Sequence, residues 1–190
     1  MDTITFIIPS IGRDSLKNTI LSLLNQTSDN WKAIIIFDGC KNTLDKNDYN
    51  EKCTFYEIDK TKCVINQASD VRNYGIKYAN TKWVGFLDDD DTISRDYVEY
   101  FLNQYTIFNF DLFIYRMINK DLTILPSLLS KDVIPCDIGI SFIVKRTIFD
   151  SIQFKNSHCE DYDFLNLVKK NKNLILISNT INDLVKSNEE

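Results

Sequence analysis

The first ninety residues alternate between short apolar runs and longer amphipathic or polar segments. Four runs rich in β-branched and aromatic residues are typical of buried strands: 3–8, 31–37, 54–58 and 83–87. Between them, residues 13–25 and 66–80 have helical spacing of apolar side chains, and residues 41–52 predict a helix or a loop. This β-α-β-α-β-α-β order predicts parallel strands joined by right-handed crossovers.

The second half predicts a less regular arrangement. Helices are expected at 95–108 and 160–170, and strands at 111–118, 123–125, 138–144 and 174–177. A chain of 190 residues fits one domain with a sizeable core. We therefore expect a single α/β domain with a mostly parallel central sheet and a mixed, partly antiparallel second half.

Four consecutive aspartates, Asp88 to Asp91, follow the fourth predicted strand directly. They lie at its carboxyl end, which is where open α/β sheets bind ligands. Because four like charges repel one another, their convergence favours a bound cation, and a hard divalent metal suits carboxylate oxygens. The alternative is an acidic cap for the helix near Arg95, which helix dipoles favour by about 0.3–1 kcal/mol.

Other polar residues follow the neighbouring strands. Pro9 and Ser10 end the first strand with Arg13 just beyond, Asp38 ends the second, and Arg72 lies in the helix before the fourth. Parallel strand ends share one sheet edge, so these groups suit a nucleoside diphosphate, with carboxylates for the base and ribose and cations for the phosphates. Taken singly, Asp38 reads as a turn residue and Arg72 as a surface residue paired with an acid.

Composition narrows the partners and the compartment. The net charge of -5 argues against a nucleic-acid partner, and no run of 18 apolar residues or basic N-terminal flank indicates a membrane span or a signal peptide. Five scattered cysteines without a CxxC pair argue against a zinc site or a disulfide framework: Cys40, Cys53, Cys63, Cys136 and Cys159. We expect reduced thiols in a cytoplasmic protein.

Six short motifs, in order, resemble the family 2 glycosyltransferases of GT-A fold. They are IIPSIGR at 7–13, SLLNQT at 22–27, FDG at 37–39, RNYGI at 72–76, FLDDDD at 86–91 and EDYDF at 160–164. The resemblance implies a Rossmann-like three-layer sandwich, with a nucleotide-sugar-binding half at 1–92 and an acceptor-binding half at 93–190. Acceptor recognition is then expected from residues 93–158 or from a second subunit of a homodimer.

The resemblance also implies residue roles. The family's Asp-x-Asp-Asp pattern falls on Asp88, Asp90 and Asp91, with Asp89 between them. It implies a Mn²⁺ or Mg²⁺ ion held by Asp90 and Asp91, and Asp161 as general base. A late histidine completes the metal site in some members, so His158 is a candidate ligand, with a bystander in a polar loop as the alternative. Donor-binding residues implied are Pro9, Ser10, Arg13, Asp38, Arg72, Asp88 and Asp89.

The chemistry of sugar transfer fits these residue types. A metal bridging the donor phosphates stabilises the negative charge that develops on the leaving group. A single carboxylate can take the acceptor proton, a contribution of about 10²–10⁴-fold, and direct attack would invert the anomeric centre. We expect an inverting, metal-dependent transferase with a UDP-sugar donor and a hydroxyl acceptor. Alternatives are a nucleotidyltransferase, a non-catalytic binding relative, and Glu160 and Asp161 as mere first-turn acids.

Overall fold

A computed structural model describes residues 2–45, 49, 51–59, 68–119, 121–135 and 137–186, with side chains described as far as Ser178. The strands are β1 (Ile4–Ser10), β2 (Trp31–Asp38), β3 (Cys53–Ile58), β4 (Trp83–Phe86), β5 (Asp91–Ile93), β6 (Leu112–Ile118), β7 (Ile124–Leu125), β8 (Phe142–Lys145) and β9 (Ile175–Lys186). The helices are α1 (Leu16–Leu24), α2 (Ala68–Ile76), α3 (Tyr97–Ile107) and α4 (Glu160–Lys170), with a 3-10 helix at Arg146–Asp150.

The described strands form one nine-stranded sheet in the order β3-β2-β1-β4-β8-β6-β9-β5, with β7 paired to β6. The four strands of the first half, β1 to β4, are parallel to one another. Strand β8 is antiparallel to both β4 and β6, whereas β9 is parallel to β6 and antiparallel to β5. The predicted parallel first half and mixed second half are confirmed.

Helices cover both faces of the sheet. On one face, Ile4, Phe6 and Ile8 of β1 join a core with residues of α1 and α3. On the other, Ile7 joins a second core with residues of α2 and α4. This alternation follows from the two-residue period of a strand, and it confirms the predicted three-layer α/β sandwich.

Several predicted boundaries were wrong. The run 138–144 is strand only from Phe142, because Ile138 and Ile140 are buried by packing in the second core and not by pairing in the sheet. The three-residue β5 was missed, and β9 continues well past the predicted end at 177 to pair with β5. Residues 41–45 form a loop, and the predicted helix start at residue 66 lies outside the described residues.

Three of the five cysteines lie within the described residues. Cys40, Cys53 and Cys159 are free thiols, while Cys63 and Cys136 lie outside the described residues. Within the described ranges, no helix combines the length and apolar character that crossing a membrane requires.

Candidate active site

The tip of β1 is tied to the aspartate run by one buried carboxylate. Asp89 is 4% exposed, and its Oδ2 accepts the Ser10 hydroxyl at 2.7 Å and the Ile11 amide at 3.2 Å. Its Oδ1 accepts from Arg13 Nη1 at 3.1 Å. Pro9 is accommodated within β1 because β4 pairs with this strand only as far as Ile7. Asp89 thus fixes the loop that the sequence assigned to donor binding.

The tip of β2 joins the same cluster. The loop after β1 turns at Gly12, whose φ of +85° favours glycine and whose amide donates to Ser10 Oγ at 3.0 Å. Cys40 Sγ donates to the Ser10 carbonyl at 3.8 Å. Asp38 ends β2, half-buried, immediately before Gly39 in another left-handed turn. The tips of β1, β2 and β4 therefore converge as predicted.

Helix α2 lies close enough to the sheet to bury Arg72 at this edge. A Cβ at Gly75 would lie 2.5 Å from Ile36 Cδ1 and 2.7 Å from Ile7 Cγ2, so only glycine permits the approach without rearrangement. Arg72 lies three residues earlier in the helix and is 4% exposed. Residues three apart share a helix face, so the packing at Gly75 sets the depth of Arg72.

The Arg72 guanidinium is surrounded by carboxylates. Its Nη2 donates to Asp88 Oδ1 at 2.7 Å, and its Nη1 donates to Glu160 Oε1. Burial lowers the pKa of Arg72, but the charges of Asp88, Asp161 and Glu160 outweigh that effect and raise it. One cation therefore lies among three acidic groups, which leaves the local charge negative.

Hydrogen bonds also join α2 to the segment that leads into α4. Asn73 Nδ2 donates to the Phe154 carbonyl at 2.9 Å and its Oδ1 accepts the Phe154 amide at 3.1 Å. Ser69 Oγ donates to Asn156 Oδ1, and Asn156 Nδ2 donates to Asp70 at 3.3 Å. These contacts place the start of α4 beside the aspartate run.

A cavity of about 680 Å³ opens between these elements. Its volume lies in the range typical of small-molecule sites. It is lined by Arg72, Asp88, Ile138, Ser157, His158, Cys159, Glu160, Asp161 and Tyr162. The structure thus brings together Arg72, Asp88, His158 and Asp161 of the predicted site residues. Glu160 was not among the predicted site residues, although it belongs to the EDYDF motif at 160–164.

Asp90 is partly buried beside Arg13 and is not among the residues that line the cavity. Its side chain is 18% exposed, with Arg13 Nη1 at 3.5 Å. Burial and the charges of Asp88 and Asp89 raise its pKa, although Arg13 opposes them. A bound cation would favour its ionised form. Across the residues the structure describes, no three His, Cys, Asp or Glu side chains are grouped to hold a metal. Asp90 fits an ion that takes its other ligands from a bound diphosphate and water.

The Asp91 side chain is buried, although its backbone amide donates to the Asp88 carbonyl at 3.1 Å. It is 1% exposed within β5 and does not line the cavity. Burial, and then the charge of Asp91, raises the pKa of Tyr97 well above its usual value. Asp91 therefore faces the core beneath α3, while His158 is exposed at the cavity.

Comparisons with known proteins agree on one family. Residues 5–174 match the sequence profile of Glycosyl transferase family 2. The chain is 24% identical to UDP-Glc:alpha-D-GlcNAc-diphosphoundecaprenol beta-1,3-glucosyltransferase WfgD of Escherichia coli, over 92% of this chain and 73% of that protein. It is 35% identical to the putative glycosyltransferase EpsH of Bacillus subtilis (strain 168), over 46% of this chain and 25% of that protein.

Solved structures show the same fold. The crystal structure of S. aureus TarS 1-349 superposes with a TM-score of 0.75 at 16% identity, over 97% of this chain and 60% of that chain. Its complex with UDP-GlcNAc superposes equally well at 15% identity, over 99% of this chain. The chain therefore spans about three fifths of this structural neighbour.

Proposed function

Because this chain belongs to glycosyl transferase family 2, we propose that it moves a sugar from a UDP-sugar to a hydroxyl acceptor with inversion. The observation that supports the reaction is the cavity lined by both Asp88 and Asp161 together with the buried Arg72. A uridine donor is supported by the UDP-Glc in the name of WfgD and the UDP-GlcNAc bound to TarS.

The donor half supplies the groups for a nucleoside diphosphate. Asp38 and Asp88 are the proposed hydrogen-bond acceptors for the base and ribose, at the ends of the two strands that flank β1. The Arg13 side chain is 39% exposed, so its positive charge beside the loop after β1 is accessible to a diphosphate. Asp89 accepts hydrogen bonds from Ser10 and Arg13, so its proposed part in donor binding includes holding these two residues in place.

Asp90 is the proposed ligand of a Mn²⁺ or Mg²⁺ ion. Such an ion, when bound, offsets the negative charge that the diphosphate gains as it leaves the sugar. Asp88 adds a second carboxylate nearby. His158 lines the cavity and is proposed as a further ligand, although within the described residues no three such side chains are grouped around one point. Asp91 is left out of the metal site because its side chain is buried beneath α3.

Asp161 is the proposed base. The acceptor oxygen attacks the anomeric carbon, its proton passes to the Asp161 carboxylate, and the bond from that carbon to the diphosphate oxygen breaks. UDP leaves with the bonding electron pair, and one displacement inverts the configuration. Asp161 lies in the first turn of α4 and lines the cavity, where an acceptor hydroxyl would be within its reach.

A nucleotide-sugar panel tests the function. UDP-sugars with Mn²⁺ should raise the melting temperature and be consumed with release of UDP, whereas GDP-sugars at the same concentration should do neither. The proposed function fails if no UDP-sugar stabilises the protein and none is turned over, with or without Mn²⁺. Binding without turnover in the presence of candidate sugar acceptors would instead support the non-catalytic relative.

A further inference from the structure

The Glu160 side chain makes a contact that its place in the first turn of α4 does not explain. The first turn of α4 carries three acids, Glu160, Asp161 and Asp163. Acids are favourable there because of the helix dipole. The Glu160 side chain is nevertheless committed to the buried guanidinium of Arg72, which belongs to another helix 88 residues earlier.

Arg72 joins two sides of the cavity. One terminal nitrogen donates to Glu160 at the start of α4, and the other donates to Asp88 at the end of β4. Arg72 is 4% exposed, Glu160 17% and Asp88 32% at their side chains. Charged hydrogen bonds of a planar guanidinium have restricted geometry, and burial reduces their screening by water. The three residues therefore act as one rigid bridge.

We propose that Glu160 is a positioning residue: through Arg72 it ties the first turn of α4, and with it Asp161, to the donor-side Asp88. A donor bound at Asp88 then orders the base as well. The inference rests on the proposed function, since it takes Asp88 as a donor contact and Asp161 as the base.

The covalent chain transmits this restraint directly. The Cα atoms of Glu160 and Asp161 are about 3.8 Å apart, so a shift of one displaces the other. A misplacement of about 1 Å can lower a catalysed rate by about 100-fold. Asp88 keeps enough exposure to contact a ligand while its Oδ1 stays bound to Arg72.

Glu160→Gln tests the bridge, with Asp163→Asn as the matched control. Both substitutions remove one charge from the first turn of α4, but only the first disturbs an Arg72 contact. Three quantities are measured in each protein. The first two are the Kd for UDP with Mn²⁺, by calorimetry, and the kcat for the UDP-sugar that the wild type consumes. The third is amide hydrogen exchange across residues 160–165 with and without UDP.

In the wild type and in Asp163→Asn, UDP should slow hydrogen exchange at the start of α4. In Glu160→Gln the UDP Kd should stay within about 3-fold, while the slowing is lost and kcat falls by about 10- to 100-fold. Glu160→Asp keeps the charge but is one methylene shorter. It should show the same loss if the bonded contact is what matters.

The bridge is disproved if Glu160→Gln keeps the slowing caused by UDP, or if Asp163→Asn loses it equally. Full activity of Glu160→Asp would show that charge alone suffices and would also overturn the positioning role. If Glu160→Gln does not fold, the same measurements on Glu160→Asp test the bridge in its place. Failure of the wild type to bind UDP would instead refute the proposed function, so the two failures are distinguishable.

Discussion

The Ser10 hydroxyl donates to Asp89 at 2.7 Å although 79 residues separate the two in the chain. The same hydroxyl accepts the Gly12 amide, so the loop after β1 is organised around one buried carboxylate. Asp89 therefore determines the shape of the loop after β1.

Asp89→Asn should destabilise the protein and weaken donor binding together. The amide keeps one acceptor oxygen, but it loses the charge that Arg13 and the Ser10 hydroxyl contact. We expect a loss of about 1–3 kcal/mol in the free energy of unfolding, mostly from the buried hydrogen bonds, because Arg13 is well exposed. Urea unfolding measures it. Asp14→Asn changes a fully exposed carboxylate nearby and should have no effect. Equal stability of the two variants would contradict this role.

Asp161→Asn should abolish transfer while UDP still binds. The amide is nearly isosteric but cannot accept the acceptor proton, so kcat should fall by about 10²–10⁴-fold. UDP release measured with saturating donor, alongside calorimetry for the UDP Kd, separates the two effects. Retention of full activity would remove Asp161 from the base role.

The aspartate run shows how far the sequence could predict the site. A run of four acids after an apolar strand was enough to locate the sheet edge. It could not show that Asp88 faces the cavity, Asp89 the β1 loop and Asp91 the core. The different position of Asp91 depends on the three-residue β5. This strand pairs with residues of β9 that lie about ninety positions later in the chain.

The helices and parallel strands were predictable because their signals are local. Helix α4 begins and ends where its apolar spacing predicts, at Glu160 and Lys170. The pairing of Glu160 with Arg72 was not predictable, because no local pattern reveals a contact across 88 residues. The same holds for Ile138 and Ile140, whose apolar spacing resembles a strand but serves packing alone.

In Asp90→Asn, Mn²⁺ should no longer lower the Kd for UDP. In the wild type, Mn²⁺ should lower the UDP Kd, because Asp90 supplies a hard oxygen ligand and the diphosphate supplies others. In the variant, the Kd values with and without Mn²⁺ should become similar. Asp96→Asn is the control: Asp96 is an exposed residue preceding α3 without a side-chain capping bond. An undiminished Mn²⁺ effect in Asp90→Asn would exclude Asp90 as a ligand.

Asp111 should make stability depend on pH. Burial alone would raise its pKa, but bonds from Lys145 and from the Leu174 amide outweigh burial and lower it below the usual 3.8. A lowered pKa stabilises the folded state above the unfolded-state value, and this contribution is lost as pH falls through the folded-state value. Asp111→Asn should lower the free energy of unfolding by about 1 kcal/mol at pH 7.

The difference between wild type and Asp111→Asn should stay constant from pH 7 to about pH 5 and narrow below 3.8. Urea unfolding across this pH range measures it. Asp29→Asn, with an almost fully exposed carboxylate paired to Lys52, serves as a control with a smaller effect. A difference that grows as the solution is acidified would have the wrong sign and would refute the assignment.

Gly75→Ala should destabilise the fold and impair the site, although alanine is the better helix former by about 1 kcal/mol. The added Cβ would lie 2.5 Å from Ile36 Cδ1, so α2 must move away from β1 and β2. Overpacking of this kind costs about 1–3 kcal/mol, and the displacement would carry Arg72 away from Asp88. Urea unfolding and UDP-sugar turnover should both decline.

Lys77→Ala provides the comparison, since Lys77 is exposed just beyond the end of α2 and should change neither measurement. If Gly75→Ala were more stable than the wild type, helix propensity would have prevailed and the close approach of α2 would not be required. If it were less stable but fully active, the depth of Arg72 would not depend on packing at Gly75. A decline in both measurements connects the packing of one helix on the sheet with the chemistry at its edge.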